Sequence, residues 1–350
     1  MTVKPIEPPR TGDTALFAGI PSGSEALALA RLAGQSADVL FIARDDMVLA
    51  RTASSLAFFS PDITCLEFPA WDCLPYDRVS PLGAIVGQRL HCLGELGGEP
   101  KGGRIVLATV SGVLQRIPPQ SLVESTRHQL KIGAHIDPTA LSRTLEQAGY
   151  RRAETVMEQG EFAVRGGIFD IFPPAAPTPL RLDFFGDELD TIRRFDPTTQ
   201  RTLSDGHKAP DEITLGPVSE ILLTDDAISR FRSGYRAQFG VSGADDPLYE
   251  AVSAGERLIG MEHWLPLFHE NLVTLFDYLP GATVVLDHET EQALEARHDL
   301  IAEYFQARLD VSGAEGAGDD STIYRPVPPD TLFMAEADWT ATLAERPVVQ

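Results

Sequence analysis

From residue 14 to about residue 117, apolar strand-like runs alternate with stretches of helical period, and this alternation constrains the fold more than any other feature. "TALFAG" leads into the helical "EALALARL", and "DVLFIAR" into "DDMVLARTASSLAFF". The strand-like "ITCLEF", a Pro-rich loop, the helical "AIVGQRLHCLGEL" and the strand-like "RIVLATV" follow. Strands separated by helices are too far apart in sequence to pair as hairpins. They form a parallel sheet with helices on its faces.

The pattern changes near residue 125. One helical segment, "PTALSRTLEQAG", precedes the closely spaced runs "EFAVRG", "GIFDIFP", "LRLDFFG" and "ELDTIRRFD". Gly166-Gly167, the prolines from Pro173 to Pro179, Gly186-Asp187 and Asp196-Pro197 mark turns between them. Short linkers predict a small antiparallel sheet carrying one helix. Helical pattern returns after about residue 212 in "DDAISRFRSGYRAQF", "PLYEAVSAGERLI" and the long "ETEQALEARHDLIAEYFQARL", the last preceded by the strand-like "ATVVLD". "SGAEGAGDDS" reads as a solvated loop, and "ERPVVQ" has no terminating element, as in a piece of a longer chain. The fold class is therefore α/β, one α/β unit interrupted by a small α+β domain.

"GIPSGSEA" sits between the first strand and its helix, where a phosphate-binding loop would lie. Aligned on Gly19, it has Ser24, Glu25 and Ala26 where G-x-x-x-x-G-K-[ST] needs Gly, Lys and a hydroxyl. Pro21 removes a further N–H, and Ser22 or Ser24 would serve as helix cap. At about 4 Å and an effective dielectric near ~20, a unit-charge pair is worth roughly 4 kcal/mol, so replacing Lys by Glu turns a large attraction into repulsion. No ATP is expected here.

"VVLDHE" resembles a strand ending in a metal-binding acid, but without a phosphate loop Asp287 reads as a cap for the next helix. Asp287 and Glu289 would be the acids of a diverged nucleotide-dependent enzyme, the competing reading. "MEHWLPLFHE" carries Glu262, His263, His269 and Glu270, but its spacing is not H-E-x-x-H and its apolar residues suggest packing. The net charge of -22, from 29 Lys and Arg against 51 Asp and Glu, disfavours nonspecific nucleic-acid binding. No apolar run has membrane-spanning length, and Cys65, Cys73 and Cys92 form no CxxC, as expected of reduced cytoplasmic thiols.

"EFPAWDCLPYDRVSP", "GQRLHCLGEL", "IVLATVSGVLQRIPP", "MEQGEFAVRGGIFDIFPP", "LRLDFFGDELDTIRRFDPTTQRT" and "GMEHWLPLF" resemble, in this order, the N-terminal region of the bacterial transcription-repair coupling factors. The stretch from Glu158 to Arg201 is also similar to the excision-repair helicase UvrB, and "GIPSGSEA" falls where UvrB carries its phosphate loop. The resemblance implies a degenerate P-loop, helicase-like parallel-sheet unit made of domain 1a (residues 1–125) and domain 1b (213–350), with domain 2 (126–212) inserted. It implies a non-catalytic module without cofactor that recruits UvrA to stalled transcription complexes in transcription-coupled excision repair. ATP and Mg²⁺, RNA polymerase and DNA would be handled by domains beyond Gln350. Contact of domain 2 with that C-terminal region, making the module an autoinhibitory clamp on the translocase, is a further implied role.

Carried over position by position, the UvrA-binding residues fall on Arg165, Arg181 and Phe185, with Asp183 matching an acid of UvrB. The residues agree with this: period-2 alternation in "LRLDFF" puts Arg181, Asp183 and Phe185 on one face, opposite Leu180, Leu182 and Phe184. Every basic residue from 151 to 201 is Arg, whose planar fork suits carboxylates. By itself such a face fits a partner site or ordinary solvated surface equally; the resemblance favours the partner site. "WDCLPYDRVSP" is too short for the DNA-gripping hairpin of UvrB, so Trp71 and Tyr76 are expected to pack the loop against the sheet.

Overall fold

The two runs expected at the heart of the parallel sheet, Asp38–Ala43 and Arg104–Thr109, are buried at every position, as strands covered on both faces must be. The computed structural model describes residues 9–17, 19, 23–34, 38–98, 102–174, 176–203, 210–240, 246–313 and 324–350. Pro21, Ser22 and residues 314–321 of the expected solvated loop lie outside them. The chain forms two units, one of residues 1–79, 95–117 and 271–350, the other of 80–94 and 118–270.

In the first unit six described strands form a sheet in the order Thr14–Ala15, Val348–Val349, Thr283–Leu286, Asp38–Ala43, Arg104–Thr109, Thr64–Phe68. Every neighbouring pair is parallel. Strands from both ends of the sequence thus complete one sheet, as the interrupted α/β reading requires. "ERPVVQ" supplies one of them. At the base of the sheet Asp38 stands opposite Arg104 and receives its Nε and Nη2 at 2.8 and 2.9 Å, a bidentate pair that fixes the register.

Helices Glu25–Ala33 and Asp46–Phe59 cover one face of this sheet. Leu29, Leu32, Val48, Leu49 and Leu56 meet Val39, Phe41, Ile105 and Leu107 in one cluster. The second helix starts at Asp45, whose carboxylate accepts the Val48 N–H at 2.8 Å. Trp71 and Tyr76 are buried, but Tyr76 packs on Phe305 of the helix Thr290–Gly313 and on Phe333, rather than on the sheet. That helix runs four residues past the expected Leu309 and takes in Ser312 and Gly313, the start of the stretch read as loop.

The second unit contains the expected small sheet: Glu188–Arg194, Leu180–Phe185, Ile168–Ile171, Glu161–Arg165 and Arg151–Arg152, in that order. The first four are antiparallel; the two-residue edge strand Arg151–Arg152 runs parallel to its neighbour. Helix Pro138–Gln147, capped by Asp137, buries Leu141 and Leu145 against Phe162, Phe169, Leu182 and Ile192. A separate antiparallel pair, His128–Lys131 with Glu212–Leu215, adds Leu130, Ile213 and Leu215 to the same core.

Residues beyond 215 continue this unit as helices Asp225–Phe239 and Pro247–Ser253 and the 3₁₀ segment Met261–Leu267. Phe231, from the first helix, stacks on Phe268 at 4.7 Å between centroids. The helix expected over "PLYEAVSAGERLI" stops at Ser253 because Gly255 turns the chain with φ +78°. Arg89 and Glu220, both fully buried, pair at 2.6 Å.

Candidate functional site: a charged sheet face carrying an exposed phenylalanine

Strand Leu180–Phe185 lies between two antiparallel neighbours, so its alternation is imposed from both sides. Leu180 and Leu182 are buried, while Arg181 and Asp183 are half-buried on the opposite face and Phe185 ends the strand 84% exposed. Gly186, at φ +68°, permits the tight turn into Glu188–Arg194, a conformation that a side chain would strain. Register sets Asp170 opposite Arg181, Ile168 opposite Asp183, and Thr191 opposite Asp183 from the other side.

Charges on this face are paired with each other. Asp170, 1% exposed, accepts Arg181 Nε at 2.6 Å and Nη2 at 2.9 Å, and Arg165 Nη2 at 3.0 Å. Arg181 also donates Nη1 to the Gln200 carbonyl at 3.3 Å and lies 4.6 Å over the Phe195 ring. The hydrogen bond to Asp170, with the Asp170 and Asp183 charges, raises the Arg181 pKa above its ordinary value, against the opposing effect of burial. Asp183 accepts Thr191 Oγ1 at 2.7 Å and Arg193 Nε and Nη2 at 2.9 and 2.5 Å.

The consequence is a plate held by ion pairs, three arginines on two aspartates. The Arg181 side chain is only 16% exposed and cannot swing outward without giving up Asp170, whereas Arg165 is 52% exposed and keeps unused donors toward solvent. Phe185 projects beside them with Ile168, itself 37% exposed. A preorganised guanidinium and an uncovered aromatic are the components of a protein-docking hot spot.

All four expected residues, Arg165, Arg181, Asp183 and Phe185, therefore fall on one sheet face. The residue that sequence reasoning missed is Asp170. It was legible in "IFDIF", where the same period-2 rule puts it on the face of Ile168 and away from Phe169 and Ile171.

The degenerate loop has a different geometry. Gly19 and Gly23 keep positive φ, +77° and +91°, but the Glu25 carboxylate accepts the Gly23 N–H at 2.5 Å. An acid of the chain itself thus occupies one of the loop's donors. Ser24 is the helix cap position without a side-chain capping bond, and Ala26 is buried in the core of the first unit. Asp287 does not cap the next helix with its side chain: its backbone carbonyl accepts from Thr290, and its carboxylate accepts the Arg44 N–H at 3.4 Å. In "MEHWLPLFHE", Glu262 accepts the Ser80 hydroxyl at 2.7 Å, His263 is buried, and His269 Nε2 bonds the Glu220 carbonyl at 2.8 Å. No helix among the described residues is long and apolar enough to cross a membrane.

A family model described as the UvrB interaction domain matches residues 129–220, which include the whole plate. The chain is 36% identical to the transcription-repair-coupling factor of Haemophilus influenzae over 311 residues, 88% of this chain and 26% of that protein. Against that of Escherichia coli it is 34% identical over 349 residues, 98% of this chain and 29% of that protein. The chain is a homologue of the transcription-repair-coupling factors. The Bacillus subtilis factor is 27% identical over 304 residues, 82% of this chain and 25% of that protein. The chain thus spans less than a third of the length of these coupling factors, and the matched region includes the interaction domain.

Proposed function

We propose that this chain is a non-catalytic docking module that binds UvrA through the face carrying Arg165, Arg181, Asp183 and Phe185, and so couples stalled transcription to excision repair. The observation that carries the reading is an 84%-exposed phenylalanine beside an ion-paired arginine, inside a region similar to an interaction domain of UvrB. Exposed aromatic surface of this kind costs solvation in the free protein and is recovered only when a partner covers it.

The parallel-sheet unit derives, in this reading, from a helicase-like nucleotide-binding fold of domains 1a and 1b, interrupted by the smaller inserted domain that carries the plate. Its loop is dead toward ATP: Glu25 stands at the lysine position and bonds the Gly23 N–H, so a triphosphate would meet a carboxylate. No cofactor is required by this module, which acts in the cytoplasm; RNA polymerase, DNA and ATP-driven translocation belong to the longer coupling factors.

The test is a titration of the chain with purified UvrA, in parallel with Arg181→Ala plus Phe185→Ala. Truncating two hot-spot residues costs roughly 2 kcal/mol each, about 4 kcal/mol together if additive, so affinity falls roughly a thousandfold while circular dichroism is unchanged. Unchanged affinity would remove this face from the interaction.

A further inference from the structure

The first unit contains a cavity of about 520 Å³ at the carboxyl ends of its parallel strands. Its position follows from the topology. Strand Asp38–Ala43 continues through helix Asp46–Phe59 to a strand two places to one side, while its neighbour Thr283–Leu286 continues through Thr290–Gly313 to a strand on the other side. Where two adjacent connections diverge, a crevice opens beyond the strand ends, and open α/β sheets bind their ligands there.

The charges around this cavity narrow what it can hold. Leu29, Leu32 and Phe41 supply an apolar wall, and Arg44, Arg51 and Asp287 are among its polar lining. Arg44 is committed: its guanidinium lies 3.4 Å from Asp45, 3.1 Å from Glu289 and 3.8 Å from Asp287. Glu25, which also lines the space, is committed to the Gly23 N–H. Arg51 makes no ion pair with any described residue. One guanidinium beside an apolar wall is left available, in surroundings where Asp45, Asp287 and Glu289 outnumber Arg44 and repel a polyanion.

We infer that this cavity binds a small ligand with a compact apolar body and a single anionic group, the anion held by Arg51. The site is distinct from the proposed docking plate, which lies in the other unit.

The probe is 8-anilinonaphthalene-1-sulfonate, an aryl body with one sulfonate, titrated by fluorescence into the whole 350-residue chain. Its uncharged counterpart N-phenyl-1-naphthylamine is the control. The sulfonate should bind saturably at one site and at least about tenfold more tightly than the neutral amine. Arg51→Gln should weaken the sulfonate roughly tenfold and leave the amine unchanged. Ala28→Trp, which fills the cavity from its lining helix, should abolish binding of both; Ala28→Phe serves if the larger residue disturbs the fold. ATP should not compete. Equal binding of the two probes, indifference to Arg51→Gln, or displacement by ATP would each overturn the inference. UvrA affinity should be unchanged in all these variants, which separates a failure here from a failure of the docking proposal.

Discussion

Asp170→Ala tests whether the docking plate is held rigid from beneath. The Asp170 carboxylate is 1% exposed and accepts three N–H bonds from two guanidinium groups. Of these, Arg165 is 52% exposed and can turn to water at little cost. Arg181 has only 16% of its side chain exposed and lies on Phe195, so it would remain desolvated without its counter-charge. Breaking one side of a buried pair costs about 3–5 kcal/mol, and the bond that Arg181 keeps to the Gln200 carbonyl puts this case near the lower end, about 3 kcal/mol. For a unit in the range of about 150–250 residues each kcal/mol moves Tm by roughly 2–4 °C, giving a drop of about 6–12 °C. Calorimetry on the whole chain reads this in the transition of the second unit. Replacing the arginine as well, Asp170→Ala with Arg181→Met, should recover some of the loss, with a coupling energy of about 2 kcal/mol. A Tm within a degree or so of the parent, or strictly additive losses, would refute the anchoring role of Asp170.

Two further perturbations probe the unit that carries the plate. Burial, with help from the nearby Arg230 charge, pushes His269 from 6.5 down to about 4, against the carbonyl bond from Glu220. Because the fold holds the neutral imidazole, its contribution is complete above about pH 6.5 and is lost as pH falls toward about 4, at most about 3 kcal/mol. Urea midpoints at pH 7 and pH 4.5 should therefore drop less in His269→Gln than in the parent; equal drops would contradict this. Gly87→Ala, in the helix Gly83–Leu96, would place a methyl group 2.1 Å from Pro174 Cβ, so this helix must shift, at a cost of about 1–3 kcal/mol in urea unfolding; an unchanged midpoint would show that this contact yields freely.

The parallel sheet was legible because its central strands are buried on both faces and therefore read as continuous apolar runs, unlike the two-residue strands Thr14–Ala15, at the sheet edge, and Val348–Val349, next to it, which carry little pattern of their own. Phe185 was legible for the opposite reason: it breaks the expected burial of an aromatic while sharing a face with Arg181 and Asp183. The ion pairing beneath it was not, since which acid meets which arginine depends on strand register, and register is set by turns and by packing across strands distant in sequence. Alternation alone would have placed Asp170 on the right face without showing that Arg165 and Arg181 converge on it. The extent of helix Pro247–Ser253 was misjudged because the apolar period continues past Gly255, where the backbone leaves the helix. Likewise, the bond from the Gly23 N–H to Glu25 needs coordinates, although the charge reversal at that position was visible in the sequence.

The most direct measurement is site-specific photocrosslinking to UvrA with benzoylphenylalanine placed at position 185, and at position 58 as the control. Phe185 and Phe58 are exposed to similar degrees, 84% and 79%, but stand on different units. The docking account predicts a UvrA adduct from position 185 and none above background from position 58. An adduct from position 58 alone, or equal yields from both, would contradict it.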